Sequence, residues 1–151
     1  MMKFFKENIA RLRIPWNERP LTEDDFYRLC RREKIRVTEY PLDGSDGFYY
    51  FAYQRHHIVV DPRLPPAKKL FVMFHELAHY LMHEPGQGVT ANFYGVGTQT
   101  RMEFEADAFA HCALIPKTWI ETRPLQELID EEGIDEEMLA ERLKLFEVRK
   151  L

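Results

Sequence analysis

The spacing of apolar positions changes several times along the chain, and each change marks an element. Phe26, Leu29 and Cys30 form one stripe at helical spacing behind Thr22-Glu23-Asp24-Asp25. That start supplies a hydroxyl N-cap and acids that suit the helix dipole, predicting a helix from Thr22 to about Lys34. Ile35 to Tyr40 alternates apolar and polar residues and predicts a strand, followed by the turn cluster Asp43-Gly44-Ser45-Asp46-Gly47. Phe48 to Gln54 predicts a second strand, Arg55-His56 a tight turn, and His57 to Val60 a third strand. Three prolines between Asp61 and Pro66 impose a loop. Leu70, Phe71, Phe74, Leu77, Ala78 and Leu81 then recur at steps of three and four, predicting a helix from Ala67 to Glu84 that Pro85-Gly86 ends. Residues 85–100 hold four glycines, one proline and no charge. A loop that long in a small domain is functional or disordered. Helical spacing resumes over 101–114 through Met102, Ala106, Phe109, Ala110 and Ala113, and ends before Pro116. Residues 124–132 predict a further helix with Gly133 just past its end, and Asp135 caps a last one with Leu139, Leu143 and Phe146 on its inner face. Residues 1–20, with Pro15, Trp16 and Pro20, read as an arm with a short helix at its start.

A helix, three strands and then helices make an α+β chain. The 151 residues suit one domain: an arm over 1–20, a core over 21–116 and a helical tail over 117–151. Composition narrows the function classes. Apolar residues are 45%, charged residues 30% and the net charge is −4, which describes a globular chain without general attraction for nucleic acid or acidic lipid. No apolar run approaches the roughly 20 residues that cross a bilayer. The first residues lack the uninterrupted apolar stretch of a signal peptide, so a cytoplasmic location is expected. Cys30 and Cys112, far apart in sequence, read as two buried reduced thiols.

The chemistry lies in His75-Glu76-Leu77-Ala78-His79, an HExxH motif on a predicted helix. Its histidines are one turn apart, about 6 Å in rise and about 40° in azimuth, so both imidazoles can clamp one ion. Zinc accepts two imidazoles and a carboxylate and keeps a fourth position for water. Glu76, about 100° around the helix from His75, is badly aimed for ligation but can reach that water. There it can take a proton as the water attacks a carbonyl and pass it to the leaving nitrogen. A third ligand must come from downstream. No HxxGxxH pattern follows His79, but the next helix carries Glu103 and Asp107 four residues apart on one face. One carboxylate can bind the metal while the other accepts a hydrogen bond from a ligand histidine. Glu105, about 200° from Glu103, should face away as a solvated acid.

Residues 70–83, LFVMFHELAHYLMH, together with Glu103-Phe104-Glu105-Ala106-Asp107-Ala108-Phe109-Ala110 and Ala113-Leu114-Ile115-Pro116, resemble the ImmA/IrrE family of zinc metallopeptidases. That family shows a HELGHyllH-type helix, a variable loop and a helix reading ExxA(N/D)xFAxxLLxP. The resemblance extends over about residues 30–146. It implies a small three-stranded sheet on a thermolysin-like, gluzincin core, and one zinc ion per chain held by His75, His79 and Glu103. It also implies Glu76 as base and Asp107 behind a histidine ligand. Ala78 replaces the usual glycine of HELGH, and Asp107 stands where many members have asparagine. Family members cleave, or are thought to cleave, helix-turn-helix repressors and so induce mobile-element or stress-response genes. This chain is similar to the stand-alone form.

Tyr80 and Tyr94 are candidates to donate to a developing oxyanion, and His83 continues the histidine row one turn further as another substrate-side candidate. His111, two turns past Glu103 and about 80° around, reads as packing before a metal or transition-state role. His56, His57 and the aromatic run over 48–53 read as structural. The expected activity is a zinc endopeptidase acting on a protein partner, without nucleic acid or membrane. The alternative is a zinc-containing regulatory or toxin-like module that binds or inhibits its partner without cutting it. The strand His57 to Val60 is expected to be a sheet edge beside the zinc, where an extended peptide could add.

Overall fold

The computed structural model describes residues 3–82 and 101–151, with side chains from residue 6 onward. The elements are α1 (Lys3–Leu12), α2 (Glu23–Arg32), β1 (Ile35–Glu39), β2 (Gly47–Ala52), β3 (Arg55–Val60), α3 (Pro66–Leu81), α4 (Arg101–Leu114), α5 (Lys117–Thr122), α6 (Leu125–Glu132) and α7 (Glu136–Arg149). This is the expected α+β arrangement, with α5 an addition that the pattern did not predict.

The start of α2 is closed by a capping box. Thr22 Oγ1 accepts from the Asp25 amide at 3.2 Å, while Asp25 Oδ2 accepts from the Thr22 amide at 2.8 Å. α3 begins with Pro65 and Pro66, whose missing N–H groups are no loss in a first turn. Asp61, at the end of the sheet, receives the amides of Leu42 and Arg63 and the Arg63 guanidinium, which fixes the chain's exit toward α3.

The sheet order is β1-β3-β2. β1 runs parallel to β3 with Val37 opposite Ile58, and β2 runs antiparallel to it with Tyr49 opposite Ile58. β3 is therefore the central strand, and the expectation that His57 to Val60 forms an edge is corrected. The hairpin returns β3 into the space between β1 and β2, so both rows of its backbone groups are paired. The turn is also two residues earlier than expected. Tyr53 and Gln54 have φ of 53° and 59°, the two positive values of a type I′ turn, and Arg55 already pairs with Ala52. Neither residue belongs to the Asn-Gly class that announces such a turn in a sequence.

α3 lies across the sheet and against α4, and is buried on most of its circumference. Phe26, Tyr49, Ile58, Phe74, Leu77 and Phe109 meet in the main core. The arm over residues 1–20 packs on the core. Ile9 and Leu12 are buried in that core, Asn8 donates to the Leu81 carbonyl at 2.9 Å, and the Trp16 indole stacks on Phe109 and donates to its carbonyl at 3.0 Å.

The inner face of α7 is also shifted from expectation. Leu139, Arg142 and Leu145 are buried, whereas Leu143 and Phe146 are half-buried. Arg142 is fully buried. Its Nε donates to the Ile115 carbonyl at 2.6 Å, and one terminal nitrogen donates to Asn17 Oδ1 at 3.1 Å and the Leu151 carbonyl at 2.8 Å. Those acceptors let a guanidinium occupy a position that helical spacing alone assigns to an apolar residue. Gly133 takes the left-handed cap of α6, and Asp135 caps α7 by accepting from the Glu137 amide at 2.7 Å, both as expected. Cys30 and Cys112 are buried free thiols.

Gly47 opens β2 where there is no room for a side chain. A Cβ there would lie 2.7 Å from Val72 Cγ1 and 2.8 Å from the Val59 carbonyl oxygen. Gly47→Ala should destabilise the fold by about 1–3 kcal/mol, the usual consequence of overpacking, read from urea midpoints. An unchanged midpoint would mean that β2 can slide away from α3.

Candidate metal centre and cleft

α3 and α4 pack antiparallel, and their facing side chains form successive rungs. His79 Nε2 lies 2.8 Å from Glu103 Oε1, and His75 Nε2 lies 3.3 Å from Glu103 Oε2. The two histidine Nε2 atoms are 3.3 Å apart. His75, His79 and Glu103 thus each offer one ligand atom, all within 4.8 Å of one another. Bonds of about 2.0–2.1 Å in a tetrahedron put neighbouring ligand atoms about 3.3 Å apart, so the donor set fits zinc in size and in chemistry. Burial disfavours ionised Glu103, but its contacts with His75 and His79 prevail and hold its carboxyl down at about 2.

Asp107 stands behind this trio, with Oδ1 2.8 Å from His75 Nδ1. A carboxylate in that position fixes the ring so that Nε2 faces the other ligands. Asp107→Ala should lower zinc affinity by about 10–100-fold in a chelator-competition titration. Affinity equal to wild type would remove Asp107 from the site.

Glu76 is buried, with Oε1 3.9 Å from His75 Nε2 and, among the described residues, no hydrogen-bond partner for Oε2. Burial pushes its carboxyl up to about 7, opposed by His75 and aided by Glu103 and Asp107. A carboxylate near neutrality can both take and return a proton.

The cluster opens into a cleft of about 440 Å³. Besides His75, Glu76 and Glu103, it is lined by Gly47 at the start of β2, Phe71 of α3, His111 of α4, and Glu137 and Glu141 of α7. The tail therefore forms one wall. Nothing in the α7 pattern announces this, because an exposed helix acid carries no local signal of what it faces. His111 had a visible signal, since it continues the row Glu103, Asp107 at a further step of four.

Two expectations need correction. The Tyr80 hydroxyl donates to Glu33 Oε1 at 2.9 Å, and its ring meets His56 edge-on at 4.7 Å in a separate cavity with Arg31 and Gln54. Tyr80 follows His79 directly, and the helix turns about 100° per residue, so it is carried away from the cluster. It is not placed to serve an oxyanion there. Glu105 does face away from Glu103, but it is buried and paired with Arg101 at 3.1 Å rather than solvated. His83, Tyr94 and the loop over 85–100 lie outside the described residues. His56 Nδ1 lies 2.8 Å from the Tyr49 hydroxyl and His57 stacks on Tyr50, both structural roles.

Residues 30–147 match the sequence pattern of the peptidase M78 family, described as the IrrE N-terminal-like domain. The chain belongs to this family. The match runs from the end of α2 nearly to the end of α7, so the IrrE-like unit includes the tail wall as well as the His75, His79 and Glu103 cluster. A comparison with curated proteins finds no match. Membership makes the chain metallopeptidase-like, in keeping with the His-His-Glu cluster. No helix among the described residues is long and apolar enough to cross a membrane.

Proposed function

We propose that this IrrE-like chain is a zinc-dependent endopeptidase that cuts an extended segment of a helix-turn-helix repressor. The observation that carries the reading is Glu76, a buried carboxylate with a free oxygen beside the His75, His79 and Glu103 cluster at the head of an open cleft. A module that only sequestered its partner has no need of that proton acceptor.

His75, His79 and Glu103 would hold the zinc. When bound, zinc polarises water and a substrate carbonyl. Glu76 accepts the proton of the attacking water through its unpartnered oxygen and delivers it to the leaving nitrogen. Asp107 keeps His75 oriented throughout.

The peptide is presented to this site as a strand. β2, not β3, supplies the edge: among the described residues no strand pairs with its outer side, and Gly47 at its start borders the cleft. Main-chain hydrogen bonds to such an edge require an extended substrate, so a linker is cut and a folded helix-turn-helix unit is spared. The repressor as target rests on the family resemblance.

The test is incubation of zinc-loaded protein with helix-turn-helix repressors from the same genome, followed by mass spectrometry of intact products. One or two cuts in a linker are expected. Stable binding without any cut would replace the endopeptidase with the regulatory module, and cuts inside a stable helix would end the edge-strand docking.

A further inference from the structure

The rungs of α3 and α4 continue beyond the metal cluster. After His79 with Glu103 and His75 with Asp107 comes Phe71 with His111, whose rings are 4.7 Å apart. This rung is about one helical turn, or 5–6 Å, from His75. An extended peptide covers that distance in about two residues. Glu137 and Glu141 of α7 line the same cleft.

Three features of this end of the cleft point to one kind of guest. The first is charge. Away from the metal cluster, the cleft is lined by Asp46, Asp135, Glu137 and Glu141, against a single lysine, Lys68, which is 3.6 Å from Asp46. Glu141 is balanced at 2.9 Å by the exposed Lys144, but Glu137 has no ion-pair partner among the described residues.

The second is an unmet buried polar atom. His111 is only 8% exposed, and its Nδ1 has no hydrogen-bond partner among the described residues. It borders both the cleft and an adjoining cavity of about 400 Å³ between α4 and α7, which Glu141 also lines. Burial pushes its pKa down to about 4, so at neutral pH the ring adds no positive charge. A neutral imidazole can carry its proton on Nε2, and Nδ1 then accepts from an N–H donor. The third is Phe71, an aromatic wall for the methylene stem and the cationic head of a long basic side chain. Acids in the first turn of α7 also suit its helix dipole, but the dipole accounts neither for Glu141 further along nor for His111 on another helix.

We infer that this end of the cleft is a specificity subsite for an arginine or lysine side chain of the substrate peptide, held by Glu137 and Glu141 over His111 and Phe71. The inference rests on the peptidase reading for the presence of a peptide, but its test reads binding as well as cleavage.

The probe is a fluorescein-labelled ten-residue peptide carrying one arginine, moved through successive positions, and its twin with citrulline, the neutral isostere. Binding to zinc-loaded Glu76→Gln protein is followed by anisotropy at low ionic strength. At one position the arginine peptide should bind about tenfold tighter than its citrulline twin, an advantage that salt erodes. In the Glu137→Gln, Glu141→Gln double variant the advantage should fall below about threefold, with zinc content and circular dichroism held. His111→Phe should also lower it. If that variant does not fold, the two surface glutamates still decide. Equal binding of arginine and citrulline peptides at every position, an advantage that survives the double variant, or no binding of any peptide would overturn the subsite. The same peptides given to zinc-loaded wild type separate the two claims. Arginine preference without cleavage overturns only the peptidase reading, and cleavage indifferent to arginine overturns only the subsite.

Discussion

Glu76→Gln is expected to give a folded protein that binds zinc normally and hydrolyses its substrate roughly 10²–10⁴-fold more slowly, the range of a lost general base. The substitution preserves shape and burial, so the neighbours in the core feel little. It removes a buried carboxylate beside the cluster whose Oε2 has no hydrogen-bond partner among the described residues. Glutamine can donate and accept hydrogen bonds but cannot take up the proton of an attacking water. Metal content and thermal midpoint serve as controls, and the rate is read by quantifying cleaved partner over hours. Cleavage at the wild-type rate would show that another group moves the proton.

The second large effect concerns the metal itself. Wild-type protein should carry about one zinc per chain by elemental analysis, as expected of one three-ligand site. His79→Ala and Glu103→Ala should each weaken binding by more than about a hundredfold, beyond the 10–100-fold loss of an outer partner. The reason is geometric. His79 and Glu103 face each other at 2.8 Å across α3 and α4, and each is one corner of the triangle that the ion would cap. Glu105→Ala makes the contrast. Glu105 is an acid on the same helix, but it faces away and pairs with Arg101, so its loss should leave zinc stoichiometry intact. Full zinc in both the His79 and Glu103 variants, or loss only in the Glu105 variant, would mean that the metal lies elsewhere.

Chelation of zinc from the wild type should abolish cleavage in parallel with metal loss. Under the regulatory alternative, chelation would leave partner binding as the only activity to measure.

The two halves of the His75, His79 and Glu103 cluster are legible in the sequence because each is local, although only the packing of α3 on α4 joins them. His75 and His79 are placed on one side of α3 by helical geometry alone, and Glu103 and Asp107 share a face of α4 for the same reason. Periodicity likewise announces α2, α3 and α4, and the caps at Thr22, Gly133 and Asp135 depend on only a few neighbouring residues. The order of the strands is different. Whether Arg55–Val60 lies at an edge or in the middle depends on where β1 comes back to pair, and that pairing joins residues about twenty positions apart. Alternation within a strand reports which side is buried, not which strands flank it. The burial of Arg142 was hidden for a similar reason. Its acceptors are carbonyls of Ile115 and Leu151 and the side chain of Asn17, which only the packing of α7 on α4 and the first segment brings together. Tyr80 next to His79 looked chemical on the line of sequence, and one residue of helical rotation turned it toward Glu33. The cleft wall of α7 is the furthest from local rules. Glu137 and Glu141 are ordinary surface acids by pattern, and only the fold of the tail across α4 sets them opposite His111. Helical geometry alone could set the ligands of a site on one face, whereas the walls that choose what enters it come from elements distant in sequence, whose meeting is settled by burial of the whole core.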